Sequence, residues 1–195
     1  MREEEINESL KEEKEVRAKR AKQLIEEKYY EQEKKYVKDF YDFMHGLLSK
    51  FLNGQKQNSK RKLKYIYIKK LRTSVEDESY RYNISLMDEN GYTDPYAIEG
   101  YYIPPYLKNL IDEDKQYFEK EIMRKIIRAK KYEVKDFLRP YIWDAYIKPI
   151  PKEIEEVASK IDNILMYNDI AIMDEVIVSY GEVLEKYDKK WVFTR

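Results

Sequence analysis

From Ala18 onward, apolar or neutral side chains return at Ala21, Ile25, Tyr29, Gln32, Tyr36, Phe40, Phe43, Leu47 and Phe51, in repeating steps of three, four and four residues. Such an eleven-residue period corresponds to about 3.67 residues per turn and keeps one face of a nearly straight helix apolar. No proline interrupts residues 3–53, so the spacing predicts one long helix. Its start is sparse and charged. Its second half is broad, because Val37, Tyr41, Met44, Leu48 and Leu52 flank the stripe. Asn53-Gly54 reads as the stop, and QKQNSKRK over 55–62 as a polar linker.

Beyond the linker the period changes to two. Leu63–Ile68 and Tyr80–Leu86 are rich in β-branched and aromatic residues, and Asp88-Glu89-Asn90-Gly91 is a turn signal. A third strand is predicted over Tyr96–Ile103, with a bulge at Gly100 and a stop at Pro104-Pro105. These three make a small antiparallel, tyrosine-rich sheet centred on 63–103. Helical spacing then resumes: Leu107 to Ala129, Val134 to Ala145 with a kink at Pro140, and Ile154 to Leu165. Residues 170–195 read both ways. Val176-Ile177-Val178 and Trp191-Val192-Phe193 suit strands, while Val176, Tyr180, Val183 and Tyr187 fit a helix. The predicted class is α+β and mostly helical, with a helix over 1–53 and an α+β domain over 54–195, its helices over 105–166.

Composition narrows the chemistry. The chain has no cysteine, which removes disulfides, thiolate metal sites and a cysteine nucleophile. No secretory leader and no membrane-length apolar run is present, so a cytoplasmic protein is expected. The five glycines are too far apart for either G-x-G-x-x-G or the P-loop. His45 is the only histidine. Asp42 stands three residues before it, but a di-iron bundle needs two such elements and further carboxylates, so no metal site is assigned. Asp112-Glu113-Asp114 near the start of one helix, and Arg124, Arg128, Lys130 and Lys131 at its end, complement the helix dipole. No cluster combines a nucleophile, a tuned base and an oxyanion donor, so no enzyme and no cofactor is expected.

Charge is unevenly distributed although the net charge is zero. Residues 43–75 carry nine bases and no acid, and residues 76–195 carry seven more acids than bases. Lys60, Arg61, Lys62, Lys64, Lys69, Lys70 and Arg72, interleaved with Tyr65 and Tyr67, fit phosphate contacts with base stacking. The competing account makes these bases the complement of the acidic remainder and the tyrosines a half-buried sheet core. A third account, a membrane-surface anchor made of residues 43–52 and the polybasic 56–64, is set aside because the apolar stripe continues back to Ile25.

The segments KYIYIKKLRTS, YRYNISLMDENGY and VSYGEVLEKYDKKWVF resemble stretches of uncharacterised proteins of low-GC Gram-positive bacteria. The resemblance implies a bacterial origin and carries no activity and no functional residue.

The reading that accounts for most of the pattern is a non-enzymatic interaction or assembly module. Ile25, Tyr29, Tyr36, Phe40, Phe43, Leu47 and Phe51 would form a coiled-coil-like contact with a protein partner or a second copy, and Gln32 would set its register. Nucleic-acid binding through the basic segment 56–72 is the alternative.

Overall fold

Helix runs from Arg2 to Lys56 in three segments: α1 (Arg2–Ser9), α2 (Lys11–Glu31) and α3 (Glu33–Lys56). The second interruption falls on Gln32, the polar residue within the apolar stripe. Its N–H bonds to the Tyr29 carbonyl, three residues back, at φ −139°, so the ladder tightens there instead of continuing. At the far end the helix passes through Asn53-Gly54. Gln55 explains why: its side-chain amide donates to the Arg61 and Ala171 carbonyls at 2.7 and 2.8 Å, and its oxygen accepts from the Ala171 N–H at 3.1 Å. The structure, a computed structural model, describes residues 2–57, 61–94, 97–167, 169–182 and 188–194.

The chain forms two compact units. One comprises Met1–Gln32, Arg72–Tyr80 and Pro104–Pro149, and the other Glu33–Leu71, Arg81–Ile103 and Ile150–Arg195. The first unit is helical, adding α4 (Thr73–Glu76), α5 (Leu107–Lys125) and α6 (Lys131–Ile142) to α1 and α2. Its core is aromatic: Phe118 meets Phe137 and Tyr141 edge-on, at centroid distances of 5.2 and 4.7 Å. Pro140 lies inside α6, and a π-helical turn follows at Trp143–Ile147, closed by the Lys148 N–H on the Trp143 carbonyl. Proline supplies no N–H to the ladder, so the Asp136 carbonyl, four residues back, loses its helical donor.

The second unit holds α3, a five-stranded sheet, α7 (Lys152–Ser159) and α8 (Ile161–Tyr167). The helix expected over 154–165 is therefore two short ones, divided at Lys160, whose N–H turns back to the Val157 carbonyl. The strands are β1 (Leu63–Lys70), β2 (Tyr82–Met87), β3 (Ile98–Tyr102), β4 (Ile172–Glu182) and β5 (Lys189–Thr194), in the order β3-β2-β1-β4-β5.

β3, β2 and β1 form the expected antiparallel meander. The sheet as a whole is larger and mixed, because β4 runs parallel to β1 and carries β5 as an antiparallel hairpin partner. The ambiguous tail is thus strand where it is described, and Val183 and Tyr187 of the helical reading lie outside the described residues. Gly100 keeps its register opposite Ile84, without the expected bulge. A Cβ there would stand 2.9 Å from Leu47 and 3.0 Å from Phe43, so the glycine lets α3 approach the sheet.

Candidate functional site

Gly100 also fixes which face of the sheet α3 covers. Residues paired across strands point to the same side. The covered face therefore contains Tyr102, Tyr82, Ile84, Ile68, Lys70, Val178 and Tyr180. Phe40 and Phe43 close on the Tyr102 ring at 4.7 and 5.6 Å. Tyr36, Phe40, Leu47 and Phe51 are all buried, as is Tyr29 in the first unit, while Ile25 and Phe43 are half-buried. The apolar stripe read as a partner surface is therefore core. The period that would suit a second helix is met within the second unit by the sheet.

Three tyrosines and a lysine are buried on this face. The Tyr102 hydroxyl donates to Glu153 at 3.4 Å, and burial, reinforced by that carboxylate, pushes the phenols of Tyr82 and Tyr102 well above the ordinary range. Lys70, 2% exposed, pairs with Asp188 and lies 5.4 Å from the Tyr180 ring centroid.

On the opposite face one row crosses all five strands: Glu99, Ser85, Tyr67, Ser179 and Lys190. Lys69 and Asn83 stand beside it. Lys69 Nζ donates to Ser85 Oγ at 2.9 Å, and that hydroxyl lies 2.8 Å from Glu99 Oε1 and 2.9 Å from Asn83 Oδ1. Burial holds Lys69 below the ordinary lysine value, with Glu99 opposing the shift from 3.8 Å. The Ser179 hydroxyl is buried without a hydrogen-bond partner.

Three tyrosines stack along the same face. Tyr65 and Tyr67 are nearly parallel at 5.6 Å, and Tyr67 and Tyr92 at 4.8 Å. Tyr92 is delivered by the predicted turn: Asp88 accepts from the Asn90 N–H, and Gly91 takes φ +58°, which glycine adopts without strain.

The basic segment is divided by this geometry. Lys69 and Lys70 go to opposite faces, as alternation requires. Arg72 belongs to the first unit, its guanidinium 4.9 Å from the Trp143 ring. Arg61 pairs with Glu89 at 2.6 Å, and that carboxylate raises its pKa. Lys62 is exposed, Lys64 lies 5.4 Å from the Tyr65 ring, and Lys60 lies outside the described residues.

No protein-family model matches the chain, and no curated protein and no solved structure matches it.

The two edges of the sheet differ. β3 is short and runs into Pro104-Pro105, a combination that blunts an edge. β5 contains neither proline nor glycine and alternates Lys190, Val192 and Thr194 on one face with Trp191 and Phe193 on the other. Among the described residues its outer edge has no paired strand. Lys189 at its start pairs with Glu155, and Val192 in its middle is 45% exposed.

The first unit contains a buried polar centre that no sequence motif marks. Asp114 accepts from Tyr141, from Tyr146 at 2.8 Å and from Arg17 at 2.8 Å, and Arg17 lies flat on Tyr117 at 3.7 Å. Burial and then the Asp114 carboxylate raise both phenols. Three donors hold the carboxylate, two of them on one oxygen, which suits a structural anchor. Spacing alone reveals only Asp114 on the apolar side of α5, alongside Leu110, Ile111 and Phe118. His45 is exposed on α3, and Asp42 stands 3.7 Å from Lys38. Among the described residues no group of three or more His, Asp or Glu side chains could hold a metal ion.

Proposed function

We propose that the protein is a non-enzymatic, cytoplasmic assembly module that pairs with a second copy of itself through β5. The observation that carries the reading is the open outer edge of that strand. Unpaired strand edges are templates for another strand, and two identical edges can meet about a two-fold axis. Antiparallel pairing centred on Val192 sets Trp191 opposite the partner's Phe193 and Lys190 opposite the partner's Thr194, so no like charges face each other over residues 190–194. The stripe of α3, being core, is not the contact. Support for a non-catalytic role comes from Asp114, whose carboxylate is held by Tyr141, Tyr146 and Arg17. No described helix is long and apolar enough to cross a membrane.

Analytical ultracentrifugation tests the assembly. The wild-type protein is expected to sediment as a dimer, and Val192→Lys, which places two lysines face to face on the axis, as a folded monomer whose melting temperature does not depend on protein concentration. A wild-type protein that stays monomeric over the accessible concentration range overturns the reading. Nucleic-acid binding retains one support, the Tyr65–Tyr67–Tyr92 stack, but Arg61 is paired with Glu89 and Lys69 and Lys70 leave the sheet on opposite faces.

A further inference from the structure

The turn between α5 and α6 exposes apolar side chains where a turn is ordinarily polar. The Ala129 N–H bonds to the Ile126 carbonyl, which closes the turn, and Arg128 takes φ +59°. Ile127, near its apex, is 84% exposed. Met123, in the last turns of α5, is 58% exposed, and Tyr132, in the first turn of α6, is 57% exposed. Three large apolar side chains thus reach solvent within ten residues at the tip of one helical hairpin.

They are set among cations. Residues 120–132 carry Lys120, Arg124, Lys125, Arg128, Lys130 and Lys131 against the single acid Glu121. Arg124 pairs with Glu121, and Lys125 with Glu13 of α1, whose carboxyl it holds below its usual range. Glu133 of α6 caps its own helix by accepting the Lys130 N–H at 2.7 Å. Lys120, Arg128, Lys130 and Lys131 are exposed. Helix-dipole complementarity accounts for cations at the end of α5, but it gives no reason for an isoleucine at the apex or for two lysines at the positive end of α6.

We propose that this tip docks on an anionic phospholipid surface, with Met123, Ile127 and Tyr132 entering the interfacial layer and the surrounding lysines and arginines meeting the headgroups. Apolar side chains that insert and basic ones that stay at the surface are the combination such binding uses. A nucleic-acid strand fits less well, because base stacking needs aromatic platforms and two of the three side chains are aliphatic. The tip lies on α5 and α6, far in sequence from β5, so the proposal is independent of self-pairing.

The test is cosedimentation of the full chain with vesicles of phosphatidylserine and phosphatidylcholine, against phosphatidylcholine alone, with a single-stranded oligonucleotide as a parallel probe. Binding is expected only to the anionic vesicles, and it should weaken with salt. Ile127→Asn should lower affinity about tenfold or more. Lys130→Gln with Lys131→Gln should lower it about thirtyfold. Met123→Ser provides a second apolar variant, and circular dichroism melts check that each variant folds. Val192→Lys should bind as the wild type does. Absence of binding to anionic vesicles overturns the proposal, as does binding that none of the tip variants weakens. Oligonucleotide binding that the same variants abolish, without vesicle binding, assigns the tip to nucleic acid and overturns it equally.

Discussion

Lys69 shows how one position is decided by competing terms. It is buried on the sheet face, donates to Ser85 and is attracted by Glu99, yet desolvation dominates and lowers its pKa. A buried charge held this way adds little to stability, and an apolar residue of similar length often does as well or better. Lys69→Met is therefore expected to leave stability at neutral pH unchanged or to raise it by about 1 kcal/mol, measured by urea denaturation. The pH dependence has a fixed sign. The folded state releases the Lys69 proton more readily than the unfolded chain does, so the unfolded chain holds more protons between the two values. Wild-type stability should accordingly gain on the variant as pH rises toward the ordinary lysine value of 10.5, and the handicap should be constant at lower pH. A variant more than a few kcal/mol less stable at pH 7 would mean that the Ser85 and Glu99 contacts outweigh desolvation.

At the scale of elements, Gln55 acts as a strand residue without being in a strand. Its side-chain amide makes with Ala171 the paired N–H and C=O exchange that neighbouring strands make, just before β4 begins, and it also holds Arg61 just before β1. Gln55→Ala should cost about 1 kcal/mol, because these groups are exposed enough for water to replace the lost bonds. Amide exchange at Ala171 should accelerate while the middle of β4 stays protected. Equal exchange in both proteins would show that the clamp does not hold. Elements built on local periodicity were legible in the sequence: α3, α5, β1 and β2 follow from the spacing of their apolar residues. The parallel pairing of β4 on β1 was not. The residues of the tail fit strand and helix periods alike, and the strand that β4 pairs with is more than a hundred residues away. The stripe on α3 was legible as a buried face, but a period says only that a face is covered. The smooth glycine at position 100 of β3, which identifies what covers it, has no meaning until the register is known.

For the whole molecule, the two units are interleaved along the chain. Each uses three separate segments, so neither can be cut out as one piece. A fragment of residues 1–149 contains every segment of the first unit and lacks β4 and β5. It is expected to protect the amides around Phe118, Phe137 and Tyr141 while leaving β1 and β2 unprotected in hydrogen exchange. Uniform protection, or none, would show that the two units fold only as one. The same interleaving bears on synthesis, which proceeds from the N-terminus. The apolar face of α3 leaves the ribosome before β4, which completes the sheet beneath it and follows more than a hundred residues later. Until then Phe40, Leu47 and Phe51 lack their full cover, and such a surface invites holding chaperones or premature association. The same apolar face is open while the chain is being made and closed once β4 has paired.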